Sequence, residues 1–158
     1  MSKLTPSGAE AVVRRFLSAW TARDPVGLAA FFADDAVYID GLGARHEGRA
    51  AIHAEVRTQL KRFPTMVMEV VGIVSDGATV MTEEIDHFEL LGRRFAIPVA
   101  GAFDLNADGL ITTQHQHYDQ ASISREIEAV TGAPPPPRPD PQLRGEAAVR
   151  LARHTIPW

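Results

Sequence analysis

Apolar positions recur at helical spacing from the first residues, where Val12, Val13, Phe16, Leu17 and Trp20 share one face. Ser7 stands three residues before Glu10, the spacing of a capping box, so a helix is predicted from Ser7. Asp24-Pro25 predicts a second, short helix ending near Ala33, with Asp24 as N-cap and proline at the first helical position. The stretch from Phe31 to Asp40 then runs from helix into strand, and Tyr38 and Asp40, two residues apart, leave the same face of a sheet. Gly41-Leu42-Gly43 turns the chain. Residues 47–62 predict a third helix, with Ile52, Val56 and Leu60 as its apolar stripe.

After Pro64 the period shortens to that of strands. Segments 66–74, 78–91, 95–105 and 110–119 are rich in β-formers and are separated by Ser75-Asp76-Gly77, Gly92-Arg93 and Asn106-Ala107-Asp108-Gly109. Such short turns predict four consecutive antiparallel strands. A last helix is expected from about Ser122 to Thr131, stopped by Gly132. The order predicts an α+β fold: a cone-shaped, curved antiparallel sheet wrapped around three N-terminal helices, with a pocket at its wide end. Residues 1–132 form the expected domain, 133–142 a proline-rich linker, and 143–158 a helical tail.

Composition narrows the function. Apolar residues make up 45% and charged residues 23%, as in ordinary soluble globular proteins. The net charge is −4 and the basic residues are scattered, so nucleic acid is not an expected partner. With no cysteine there is no thiolate nucleophile and no cysteine metal site. No apolar run is long enough to span a bilayer, and Met1-Ser2-Lys3-Leu4-Thr5-Pro6 lacks the apolar core of a signal peptide, so no membrane association and a cytoplasmic location are expected.

The candidate chemistry is carboxylic. Glu84 and Asp86, in segment 78–91, repeat the alternate spacing of Tyr38 and Asp40. Periodicity leaves open which face of 81–90 is inside, because both faces mix apolar and acidic residues. If Asp40, Glu84 and Asp86 share a pocket, at least one holds a proton near neutral pH, because like charges in a low-dielectric site cannot all ionise. Asp40 has an alternative use as the cap of the following turn. His115 and His117, at i and i+2, have the spacing of a chelating pair but no third ligand at diagnostic spacing. His46 and His53 read as surface residues.

Phe32-Ala33-Asp34-Asp35-Ala36 followed by Glu47-Gly48-Arg49-Ala50-Ala51-Ile52 resembles the nuclear-transport-factor-2-like superfamily over roughly residues 8–131. Thr82-Glu83-Glu84-Ile85-Asp86, Val99-Ala100-Gly101-Ala102-Phe103 and Gly109-Leu110-Ile111-Thr112 resemble its limonene-epoxide hydrolases. The 32–40 passage also resembles its ketosteroid isomerases and SnoaL-like polyketide cyclases. In the hydrolase register Tyr38 and Asp86 match functional residues, while Asp40 replaces an asparagine, Glu84 an arginine and Gln116 an aspartate. In the isomerase register Asp40 matches the base, while Phe16 and Gly101 replace the oxyanion-hole pair.

The resemblance implies a pocket on the Glu84/Asp86 face. It turns Gln114, Gln116 and Tyr118 inward and both histidines of the last strand outward, so no metal is expected. It implies Asp40, Glu84, Asp86 and Tyr38 as catalytic residues, and Gln116, Gln114, Phe16, Tyr118 and Trp20 as substrate contacts. The activity implied is a cofactor-free acid–base reaction on a small, largely apolar substrate: isomerisation, cyclisation or lysis. The alternatives are epoxide opening and a non-catalytic pocket or assembly module. The convex sheet face is expected to pack on a second copy, giving a homodimer or small homo-oligomer.

Overall fold

The computed structural model of the protein describes residues 6–132; the linker expected at 133–142 and the tail at 143–158 lie outside the described residues, as does the side chain of Ser7 with its cap. The chain runs α1 (Pro6–Ala19), a 3-10 turn (Trp20–Ala22), α2 (Pro25–Ala29), β1 (Phe32–Ile39), β2 (Arg45–Glu47), α3 (Arg49–Arg62), β3 (Met66–Asp76), β4 (Thr79–Leu90), β5 (Arg93–Leu105), β6 (Ile111–His117) and α4 (Gln120–Thr131). The α+β fold is the expected one.

Helix boundaries follow local chemistry. Asp24 caps α2 by accepting a hydrogen bond from the Val26 amide (3.0 Å), with Pro25 just inside the helix. Glu10 accepts from Ser75 Oγ on β3 (2.7 Å), which ties α1 to the sheet. Gly48 enters α3 with φ +84°, a conformation that L side chains resist, while the Arg49 guanidinium donates to the Phe32 carbonyl (2.9 and 2.7 Å) and pairs with Asp34 (2.8 Å).

The six strands lie in the order β2-β1-β6-β5-β4-β3. The β3 to β6 meander is antiparallel as expected, but β1 pairs parallel to β6, so the sheet is mixed. Two local readings also change. α2 ends at Ala29 and β1 starts at Phe32, earlier than the sequence indicates, and residues 45–47 form a short strand where a loop running into α3 at Glu47 is expected. β1 hides its strand character because Asp34 and Asp35 are both exposed, where a regular strand alternates. A register shift between Phe32 and Val37 accounts for that break.

The core lies between α1 and the concave sheet face. Phe16, at 0% exposure, meets Trp20, Phe31, Phe32 and Phe103 edge-on, at ring-centre distances from 5.3 to 6.3 Å. Ile52, Val56 and Leu60 are buried, as their stripe predicts. On β4 the buried set is Val80, Thr82, Glu84, Asp86 and Phe88, which selects the face that periodicity left open. No described helix is long and apolar enough to cross a membrane.

Candidate active site

A cavity of about 160 Å³ opens at the wide end of the cone, between α3, α4, the turn after β1 and the concave faces of the meander. Its walls are mainly apolar, with Met66, Met68, Phe88 and Ile97 from the sheet and Ile123 and Ile127 from α4. Polar groups enter from two sides. β1 and β6 bring Tyr38, Gln116 and Tyr118, with Asp40 in the turn just past β1, while β4 brings Asp86 from the opposite wall.

Tyr38 is the centre of the first group. Its hydroxyl donates to Gln116 Oε1 (2.7 Å) and accepts from Gln59 Nε2 (3.3 Å), and Gln59 also donates to Glu55 Oε1 (2.9 Å). Burial pushes the phenol well above its ordinary proton affinity, so Tyr38 is a neutral hydrogen-bonding group. Its ring stacks on His46 with centres 5.5 Å apart.

Asp40 caps the turn and also reaches the cavity. Oδ1 accepts from the Leu42 and Ala44 amides (2.9 Å each), which is the turn cap, while Oδ2 lies 3.1 Å from His46 Nε2 and the residue lines the cavity. His46 Nε2 is 4.0 Å from Glu55 Oε2 as well. The hydrogen bond to Asp40 raises the proton affinity of His46 above its ordinary value, against the opposing effect of burial.

The second group is two carboxyl groups at alternate positions of β4. Asp86 is 8% exposed, its Oδ1 has no hydrogen-bond partner, and it lines the cavity between Met68 and Ile97 on the neighbouring strands. Burial, reinforced by the charge of Glu84, pushes its pKa up to about 8. Glu84 lies deeper, with Oε1 accepting from Thr82 Oγ1 and Oε2 unpartnered, and burial raises its proton affinity too. Glycine at 101 leaves room for it, since a Cβ there would come 2.9 Å from Glu84 Oε1.

The cavity therefore gathers Tyr38, Asp40, Asp86, Gln116 and Tyr118 from the expected set. Glu84, Gln114, Phe16 and Trp20 do not line it. Phe16 and Trp20 are core residues because α1 turns its apolar stripe onto the sheet, not into the cavity. Gln114, at 2% exposure, sits one alternate position from Gln116 along β6, between Tyr38 and Phe103 on the neighbouring strands. His115 is half-buried, with its pKa lowered to about 4 by burial and by His117, whose ring centre is 3.9 Å away.

Three residues emerge that the sequence reading did not select: His46, Glu55 and Gln59. His46 is half-buried on β2 rather than at the surface, because the β1–β2 hairpin pairs it with Tyr38. The turn Asp40-Gly41-Leu42-Gly43-Ala44 is the signal that could have found it. Glu55 and Gln59 are polar residues on a helix, which default to solvent unless a neighbour covers them. Donor atoms of Asp40, His46 and Glu55 lie within 4.8 Å of one another, the grouping among described residues with metal-ligand spacing. Asp40 Oδ1 is engaged by two backbone amides and Glu55 Oε1 by Gln59, while His46 Nε2 lies between the two remaining carboxylate oxygens, an arrangement suited to proton sharing.

Residues 13–114 match the SnoaL-like domain family. Among solved structures, the chain is similar to a hypothetical protein of ketosteroid isomerase-like fold from Catenulispora acidiphila, in complex with trimethylamine (24% identity over 81% of this chain and 97% of that one, TM-score 0.69). It is also similar to a putative SnoaL-like polyketide cyclase from Shewanella denitrificans (16% identity, 77% and 97% covered, TM-score 0.69). A third likeness is an LEH-like epoxide hydrolase from M. tuberculosis (24% identity, 93% and 98% covered, TM-score 0.67).

Proposed function

This chain belongs to the SnoaL-like domain family, within the nuclear-transport-factor-2-like superfamily, and we propose that it is an enzyme that moves protons on a small, largely apolar substrate. The reading rests on one observation. Two carboxyl groups in different states line one cavity: Asp40, which accepts three hydrogen bonds, and Asp86, which is buried, unpartnered and of raised proton affinity. A carboxyl group that accepts hydrogen bonds, across one cavity from a carboxyl group of raised proton affinity, is the arrangement that combined proton abstraction and donation needs.

In this reading Asp40 is the general base, steadied by His46, and Asp86 is the acid. Tyr38 and Gln116 orient the substrate through their hydrogen-bonded pair, and burial keeps Asp86 protonated, reinforced by Glu84, which does not line the cavity. The reaction class is isomerisation, cyclisation or lysis. Deuterium uptake from heavy water into a panel of small cyclic ketones and enones, followed by NMR, tests it. Asp40→Asn is expected to reduce exchange by ~10²–10⁴-fold. Full exchange in that variant removes Asp40 from its role.

Epoxide opening is the second reading, supported by Tyr38, Gln59 and Gln116 offering hydrogen bonds at one wall while Asp86 offers a proton at the other. Terpene and aryl epoxides in oxygen-18 water separate the two readings: a labelled diol supports opening by water, and unchanged epoxide excludes it.

A further inference from the structure

The site read above as a proton-transfer centre also has an electrostatic character that narrows its substrate. Asp86 is more than nine-tenths buried, and its unpartnered Oδ1 belongs to a residue of the cavity wall. A buried carboxyl oxygen without a partner carries a desolvation cost, which a donor on the ligand would remove. Its flanking residues on β3 and β5, Met68 and Ile97, are apolar.

The remaining lining indicates the kind of donor. The acids Asp40, Glu55 and Asp86 face one guanidinium, Arg62, an exposed residue at the end of α3. Four aromatic side chains, Tyr38, Phe63, Phe88 and Tyr118, line the same space. Aromatic faces carry negative potential and attract cations. Arg62 is already placed in this way, 6.0 Å from the centre of the Phe63 ring.

Resting on the proton-transfer reading, we propose that the substrate is a compact organic amine bound as its ammonium ion, with an N–H donating to Asp86 and the apolar substituents against the aromatic and aliphatic walls. The proton count is simple. A neutral amine would take the proton of Asp86, whereas an ammonium ion entering from water displaces that proton to solvent; the same ion pair results, and in it the acid proton of the proton-transfer reading sits on the substrate nitrogen, hydrogen-bonded to Asp86. The volume of about 160 Å³ suits roughly one six-membered ring.

Three probes of one ring size test this on the full chain by titration calorimetry: cyclohexylammonium, cyclohexanol and cyclohexanecarboxylate. The ammonium ion is expected to bind ~10-fold or more tightly than the alcohol, with the carboxylate weakest. Asp86→Asn should bring the ammonium and alcohol affinities within about threefold of each other. Phe88→Leu, which keeps the wall apolar, should weaken the ammonium several-fold and leave the alcohol within about twofold, and it stands alone if the Asp86 variant does not fold. Equal or tighter binding of the alcohol or the carboxylate overturns the proposal, as does the absence of ammonium binding or a preference that persists in both variants. These measurements need no turnover. Failure here leaves the deuterium-exchange test of Asp40 standing, and loss of the Asp40 role leaves the binding result standing.

Discussion

The ring of Tyr118 occupies the space that a side chain at Gly41 would need: a Cβ there would lie 1.7 Å from Tyr118 Cε1. The contact joins the turn after β1 to the end of β6, and both residues line the cavity. Gln120 at the start of α4 donates to the Gly41 carbonyl, which fastens the same corner. Gly41→Ala should therefore destabilise by ~1–3 kcal/mol through overpacking. In a Tyr118→Ala background the same change should cost close to nothing. Thermal unfolding of the four chains in a double-mutant cycle checks it; equal costs in both backgrounds would mean that the ring moves aside freely.

Asp86 has a pKa raised from 3.8 to about 8, so the folded chain holds a proton that the unfolded chain loses. Folding stability from this group falls as pH rises through that window. Asp86→Asn lacks the ionisation, and its stability relative to the native chain should increase steadily from about pH 4 to about pH 8 and then level off. Denaturant titrations at several pH values measure the difference. A difference independent of pH would show that Asp86 ionises normally. In the proton-transfer reading, activity that requires the acid form falls above about pH 8 in step with this ionisation.

His46 shifts stability with pH in the same direction, over a higher pH window that starts at its unfolded value. Its proton affinity is raised in the folded state, first by the hydrogen bond to Asp40, so its contribution is fully present below the unfolded value of 6.5 and is lost as pH rises through the folded value. His46→Gln should cost about 1 kcal/mol at pH 5.5, and the part of that cost due to charge should disappear in alkaline solution. An NMR titration of the imidazole supplies the direct check: a midpoint at or below 6.5 contradicts the pairing.

Assembly is expected through the convex sheet face. Val67 (48%), Val71 (55%) and Met81 (53%) are exposed there, and Ala96, Pro98 and Ala100 continue the small apolar surface on β5. A second copy would cover it. Sedimentation of the full chain at micromolar concentration should give a dimer, and Met81→Lys should shift it towards monomer. A native chain that sediments as a monomer refutes the expectation.

Much of the fold was legible in local sequence. The stripe Ile52, Val56 and Leu60, the Asp24-Pro25 start and the turns of the meander are short-range signals, and each appears in the structure as read. Period alone put Tyr38 and Asp40 on one face, and both line the cavity, although β1 ends at Ile39 and Asp40 belongs to the turn that follows. The parallel contact of β1 with β6 was not legible, because residues about 75 positions apart in the chain meet there and nothing local to either strand encodes the meeting. The same holds for the face of β4. Periodicity left both faces open because each mixes apolar and acidic residues; the resemblance pointed to the Glu84/Asp86 face, and the packed fold buries it. Phe16 and Trp20 show the converse, because an apolar stripe is the same in sequence whether it fills a core or lines a cavity. The residues that complete the site, His46, Glu55 and Gln59, gain their meaning from a hairpin and a helix brought within hydrogen-bonding distance of Tyr38 and Asp40. Residue types and their local period set the elements, while proximity across the fold decides which polar groups lose water and so acquire unusual chemistry.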